Sequence, residues 1–158
     1  AVVRGKCLGG GFELVQPADI IIAADGAAFG QPEILLGVFP PAAVVLLPGR
    51  LPPGVVAETI YSGDPLSAAE AERRGFVTRL VPDEALEGVA EEVAGRIARH
   101  SAAALRAAKH ALRSPVAHPG AALNRAGQIY LHELMKTRDA VEGLRAFVDK
   151  RPATWSHA

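Results

Sequence analysis

The stretch Cys7-Leu8-Gly9-Gly10-Gly11-Phe12-Glu13 carries the residue types needed to meet developing negative charge. Ala1-Val2-Val3 reads as a buried strand feeding a turn of three glycines, and Phe12-Glu13-Leu14-Val15 reads as the opening of a helix. Glycines permit dihedrals and close backbone approach that a Cβ forbids, and the first amides of a helix point outward without intrahelical partners. A site of this kind stabilises an anion. Glu13 falls in the first helical turn, where a carboxylate is also favourable for purely structural reasons. The segment alone is therefore read two ways, as a charge-stabilising site or as a tight turn followed by a dipole-friendly glutamate.

The elements that would position this turn follow in order. Asp19-Ile20-Ile21-Ile22-Ala23-Ala24 reads as a strand buried on both faces, and Ala27-Ala28-Phe29-Gly30 as a short strand after the Asp25-Gly26 turn. Gln31-Pro32-Glu33 is a polar break. Pro41 can occupy the first position of a helix running from Ala42 to Leu47, and residues 53–61 make another short helix. Ser67-Ala68-Ala69-Glu70 has capping-box spacing and opens a helix ending at Gly75, and residues 76–81 read as a brief extended segment. Asp83 is expected to cap a helix to Arg99, with Leu86, Val89, Val93 and Ile97 on one face and Glu92 paired with Arg96 outside. A helix over 101–113 is expected to turn Leu105, Ala108 and Leu112 inward and Arg106, Lys109 and Arg113 outward. A third long helix covers 119–136, and Asp139-Ala140-Val141-Glu142 reads as a second capping box opening a last helix that Pro152 ends.

Composition narrows the function classes. The 158 residues suit one domain with a core, and 49% hydrophobic against 22% charged residues argues against disorder. Lysine plus arginine equals aspartate plus glutamate at 17 each, so no global field draws the chain to nucleic acid or an anionic membrane. The single cysteine, Cys7, rules out an intrachain disulfide framework and fits a reducing, cytoplasmic location; packing explains it better than nucleophilic chemistry, because no histidine lies near it in sequence. The five histidines show no metal spacing. The apolar region 34–47 is broken by Gly37, Pro40 and Pro41, so it does not read as a spanning helix. The composition shifts near residue 64, separating a strand-and-turn half, 1–63, from a helical half, 64–158, neither of which looks able to fold alone. A chain that opens inside a strand leads to the expectation of further residues upstream.

The glycine turn, the Ile-rich strand and Phe29-Gly30-Gln31-Pro32-Glu33 together resemble the enoyl-CoA hydratase/isomerase (crotonase) family. Further matches are Gly5, Leu8, Asp19, Leu36-Gly37, Ser67-Ala68, Ala71, Gly75, Asp139, Glu142-Gly143, Ala146-Phe147 and Lys150-Arg151, in family order and corresponding to the C-terminal portion of a member. The resemblance implies an α/β fold: a spiral of strand-strand-helix repeats followed by a helical region that builds trimers, often paired into hexamers. It also implies an acyl-CoA thioester partner, with coenzyme A brought by the substrate and no separate cofactor. Gly10 matches one of two backbone amides forming an oxyanion hole for the thioester carbonyl; the resemblance places the other in an earlier segment. Glu13 and Glu33 match the two carboxylates that position and activate water and deliver a proton to the α-carbon. Phe147 and Lys150 match tail residues that reach a neighbouring subunit's CoA.

One stretch departs from the pattern. Typical hydratases carry Pro-Gly-x-Gly-Gly-Thr where this chain has Pro40-Pro41-Ala42-Ala43-Val44-Val45, and Pro41 has no N–H with which to help hold water. Either the glutamates hold the water alone or the substrate sits differently. Gly37-Val38-Phe39-Pro40-Pro41 is similar to the corresponding stretch of the cyclohexa-1,5-diene-1-carbonyl-CoA hydratase subfamily, which makes Phe39 and Pro41 candidate pocket residues. The expected activity is hydration of a 2-enoyl or cyclic dienoyl thioester, with an isomerase, a noncatalytic CoA-binding relative or an inactive fragment as alternatives. Retention of both glutamates favours hydration.

Overall fold

A computed structural model describes residues 1–113 and 119–156. Strands β1 (Val2–Val3), β3 (Ile22–Ala24) and β6 (Arg79–Val81) form one parallel sheet, with Val3 opposite Ala23 and Ala23 opposite Leu80. A second sheet holds β2 (Lys6–Leu8), β4 (Ala28–Gly30) and β5 (Leu66–Ser67), parallel between β2 and β4 and antiparallel between β4 and β5. The chain crosses from the first sheet to the second twice, at Arg4-Gly5 and at Asp25-Gly26, and helix α1 (Gly10–Val15) follows the first crossing. This is the strand-strand-helix progression expected of the spiral.

The first crossing differs from the sequence reading, which runs Ala1–Val3 straight into the glycines. Gly5 adopts φ +66, turning the chain so that Lys6–Leu8 makes a strand of its own, with Cys7 buried opposite Phe29. At the edge of its sheet Val2 stays 49% exposed, so β1 is buried on one side only. The Ile-rich strand is likewise shorter than its apolar run: only Ile22–Ala24 joins the ladder, while the amide of Ile21 donates to Thr78 Oγ1 and its carbonyl accepts from the amide of Thr78.

Between the sheets and helices lies an aromatic cluster. Phe12 from α1, Phe29 from β4 and Phe76 are buried with ring centroids 5.1–5.6 Å apart at tilted or edge-on angles. Such pairs add about 0.5–1.5 kcal/mol each beyond area burial. The consequence is positional, since Phe12 immediately precedes Glu13 and its burial fixes how α1 sits.

The remaining helices are α2 (Ala43–Leu46), α3 (Pro53–Ser62), α4 (Ala68–Arg73), α5 (Leu86–Ala98), α6 (Ala102–Arg113), α7 (Pro119–His132) and α8 (Arg138–Asp149). The Ser67 capping box forms as expected, with Ser67 Oγ accepting from the Glu70 amide. β5 and β6 extend both sheets past residue 63, so the compositional boundary is not where strand pairing ends.

Three local expectations fail. Asp83 does not cap; its carboxylate accepts from Arg4 Nε at 2.6 Å. Thr137, not Asp139, caps α8, with Thr137 Oγ1 accepting from the Ala140 amide, while Asp139 accepts from Ser156. On α6 Leu112 is 80% exposed and Ala108 is exposed rather than inward, and Lys109 pairs with Asp19 at 2.8 Å; the side chain of Arg113 lies outside the described residues. For Asp83 and Asp139, a partner distant in sequence outcompetes the local pattern, whereas Lys109 stays exposed as expected while pairing with Asp19.

Helix α8 docks on the turn Pro32–Leu36 through Gly143, whose Cα approaches the Leu36 carbonyl so closely that a Cβ there would overlap it. The tail then folds back. Arg151 pairs with Glu142 at 2.6 Å and holds that carboxyl at about 2, and Trp155 lies where a Cβ on Gly37 would be 2.9 Å from its ring. Gly143→Ala gains up to about 1 kcal/mol of helix propensity but forces two backbones apart, an overpacking cost of about 1–3 kcal/mol or more. Urea denaturation is expected to show net destabilisation; equal or higher stability would contradict the packing.

Candidate active site

Glu13 and Glu33 reach one place from two different elements. Gly9 is the pivot. It adopts φ +56, its amide donates to the Gly30 carbonyl at 2.9 Å, and its carbonyl accepts from the Glu13 amide at 2.9 Å. A Cβ on Gly9 would stand 3.0 Å from Glu33 Oε1, so the missing side chain is what lets that carboxylate lie over the turn. Gly10, exposed at the start of α1, presents an amide that has no intrahelical acceptor by its position.

Helix α2 anchors Glu13. Its Oε1 accepts from the amides of Ala42 and Ala43 at 2.9 and 3.0 Å. Pro41 lacks an N–H, yet the next two amides converge on one carboxylate oxygen and leave Oε2 outside that anchor. The departure from the glycine-rich pattern thus coincides with a double anchor for Glu13.

Glu33 sits on the turn Pro32–Leu36, which ends at Gly37 in a left-handed conformation. Burial pushes its carboxyl above the ordinary value, its own backbone amide opposes that, and the charge of Glu13 raises it further. Beneath it lie Gln31 and Gln16, both fully buried. With its nitrogen toward the carboxylate, Gln31 donates to Glu33 Oε1 at 3.2 Å and Oε2 at 3.0 Å, while its oxygen accepts from Gln16 Nε2 at 3.0 Å. The opposite orientation would set oxygen against oxygen. Sequence reasoning singles out neither glutamine for a place beneath Glu33; for Gln31 the available signal is a polar residue flanked by the apolar β4 and the Pro32 turn.

The candidate pocket residues lie on the following segment. Phe39 packs edge-on against Tyr130 of α7, with ring centroids 5.5 Å apart and planes at 81°, a contact that motif reading does not anticipate. Pro41 is half-buried just ahead of α2. Phe147 and Lys150 stand apart from the carboxylates: they line a groove of about 390 Å³ with Leu35, Leu36 and Gly143, and Phe147 is 66% exposed. Among the described residues, no group of three or more His, Cys, Asp or Glu side chains is placed to hold a metal ion, and no helix is long and apolar enough to cross a membrane.

Two relatives and two solved structures show what this arrangement is similar to. Over 98% of its length the chain is 43% identical to a cyclohexa-1,5-dienecarbonyl-CoA hydratase of Thauera aromatica, and 38% identical to a carnitinyl-CoA dehydratase of Citrobacter koseri. It superposes on a carnitinyl-CoA hydratase from Mycobacterium avium with a TM-score of 0.87 at 33% identity over 98% of its length. An enoyl-CoA hydratase from Mycobacterium avium subsp. paratuberculosis gives 0.88 at 26% identity over 99%. The chain spans 60 to 64% of the length of these proteins. The model of the family Enoyl-CoA hydratase/isomerase matches residues 1–158, and the chain belongs to that family, with its crotonase-type spiral fold.

Proposed function

We propose that the intact protein adds water across the double bond of an enoyl-CoA thioester, or removes it in the reverse direction, using Glu13 and Glu33. The observation that carries this reading is the pair of carboxylates in unlike surroundings beside the Gly9 turn: one anchored by two amides, the other pushed toward its protonated form by burial. Pairs whose environments differ in this way divide acid and base roles. Water gives its hydroxyl to the β-carbon and its proton to the oxygen of Glu13 not bound by α2. Glu33 gives a proton to the α-carbon, and one proton passing from Glu13 to Glu33, directly or through solvent, restores the pair. One water is consumed and no other reagent is needed. Gly10 contributes one hydrogen bond to the thioester oxygen as charge develops there. Isomerisation needs no bound water and gives the doubly anchored Glu13 less to do.

The names of the relatives support a CoA thioester substrate, and the 43% identity to a cyclohexa-1,5-dienecarbonyl-CoA hydratase, taken with the sequence resemblance at Gly37-Val38-Phe39-Pro40-Pro41, supports a cyclic dienoyl group within that class. Coenzyme A arrives as part of the substrate, with no separate cofactor, in a cytoplasmic setting. Assembly as a trimer, or a hexamer of paired trimers, is proposed from α8, which exposes Val141, Leu144 and, at 76%, Val148 along one stripe. Phe147 and Lys150 at its end would then reach the CoA of a neighbouring subunit.

Mixing the intact protein with crotonyl-CoA or cyclohexa-1,5-diene-1-carbonyl-CoA is expected to bleach the conjugated-thioester absorbance; inertness toward both would overturn the proposal in favour of a noncatalytic relative. Glu13→Gln and Glu33→Gln should each lower kcat by about 10²–10⁴-fold with folding retained.

Stability should also respond to pH. Because the carboxyl of Glu33 is raised on folding, the native chain holds that proton more tightly than the unfolded one. Its contribution is therefore most favourable below the unfolded value and declines as pH rises through the folded one. Thermal melts should show Glu33→Gln gaining relative to the parent as pH rises from about 4, the ordinary carboxylate value, through the raised one. A difference that stays flat or moves the other way would contradict the raised carboxyl.

A further inference from the structure

Gln16 is fully buried, and its Oε1 has no hydrogen-bond partner among the described residues. An apolar side chain of similar shape would avoid that cost, so packing does not explain an amide here. Its nitrogen does have a use: with the Gln31 amide assigned so that its nitrogen faces the carboxylate, Gln16 Nε2 donates to Gln31 Oε1 at 3.0 Å, and Gln31 donates to both oxygens of Glu33. A primary amide is two-faced, and what occupies its oxygen decides what it offers from its nitrogen. With the Gln16 nitrogen occupying its oxygen, Gln31 presents its N–H groups to Glu33. Without that donor, Gln31 is free to turn its oxygen toward Glu33, an arrangement that suits only a protonated carboxyl.

We propose that Gln16 is a positioning residue that acts through Gln31 to hold the Glu33 carboxylate in one orientation and to keep its ionised form accessible. This rests on the role of Glu33 in hydration given above. Burial and the charge of Glu13, the ionisable group acting on it from α1, drive Glu33 toward the acid; the N–H groups of Gln31 pull the other way. A carboxyl balanced between these influences can give a proton and regain it in the same turnover. The relay crosses three elements, since Gln16 follows α1, Gln31 follows β4 and Glu33 lies in the next turn.

The test uses the intact protein and the near-isosteric variants Gln16→Met, Gln31→Met and the double variant. Gln16→Met is expected to lower kcat about two- to tenfold, the range of one neutral hydrogen bond, with KM little changed. The limb of the pH–rate profile set by Glu33 should move to higher pH, because loss of donors disfavours the carboxylate. The double variant should be no slower than Gln31→Met alone, as links of one chain are not additive. An unmoved limb, or effects that simply multiply, would overturn the proposal. Infrared titration of the carboxyl, taken as the difference from Glu33→Gln without substrate, reads the same shift independently of turnover. A parent inert to both thioesters whose Glu33 still titrates higher in Gln16→Met would sink the hydratase reading and leave the relay standing; no infrared shift would sink the relay alone. Should Gln16→Met not fold, the Gln31→Met titration decides, since an unshifted Glu33 there removes the link on which Gln16 depends.

Discussion

The site depends on one carboxylate oxygen receiving two backbone amides. Glu13 Oε1 joins α1 to the start of α2 through Ala42 and Ala43, residues about thirty positions away in the chain. Hydrogen bonds to a charged acceptor are worth about 1.5–3 kcal/mol each. The same bonds fix α2 relative to the glycine turn, and with it the Phe39-Pro40-Pro41 segment leading into α2. A residue without an N–H at position 41 is tolerated because the two amides that follow it supply the anchor. The consequence for chemistry is that one oxygen of the Glu13 carboxylate is structural and the other stands outside the anchor.

Absent side chains set the second constraint. Glu33 lies over Gly9 at a distance a Cβ would crowd, α8 meets the Leu36 carbonyl across Gly143, and Trp155 covers Gly37. Each approach brings another element onto the turn that carries Glu33, from the glycine loop, the last helix and the tail respectively. A carboxylate on a five-residue turn would otherwise sample many orientations. Close packing on three sides, together with the amide of Gln31 beneath, restricts it.

What is legible in the sequence divides along physical lines. The glycine turn, the Ile-rich strand and the Ser67 capping box depend on neighbours in the chain, and they form with shifts of a few residues at their ends. Strand β2 escapes sequence reasoning because three residues with one buried side chain have no periodicity to read, and because Gly5 looks like part of a loop. Asp83 and Asp139 have capping chemistry and capping spacing, but Arg4 and Ser156 compete for the same oxygens from far along the chain. The carboxylates are visible as residues of a motif. The Ala42 and Ala43 amides, the glutamine pair and the Phe39–Tyr130 contact are not, since no local pattern says which amide faces which acid or which helix meets Phe39.

The last helix joins these scales. Phe147 and Lys150 sit at the end of α8, while Gly143 in its middle rests against the Leu36 carbonyl, three residues beyond Glu33. A displacement of α8 therefore moves the turn that holds the carboxylate, and a displacement of that turn moves α8. Lys150 closes the helix in a left-handed conformation, and the Glu142–Arg151 pair returns the tail over it, so that Trp155 covers Gly37 at the end of the same turn. Surface ion pairs of this kind contribute little energy singly. Here their effect is geometric: Trp155 lies against both Gly37, at the end of the turn that carries Glu33, and Gly143 of α8. The proposed contacts of α8 with a neighbouring subunit's CoA and the proposed proton transfer at this chain's Glu33 are thus linked by close packing of α8 and the tail on one turn rather than by any long-range field.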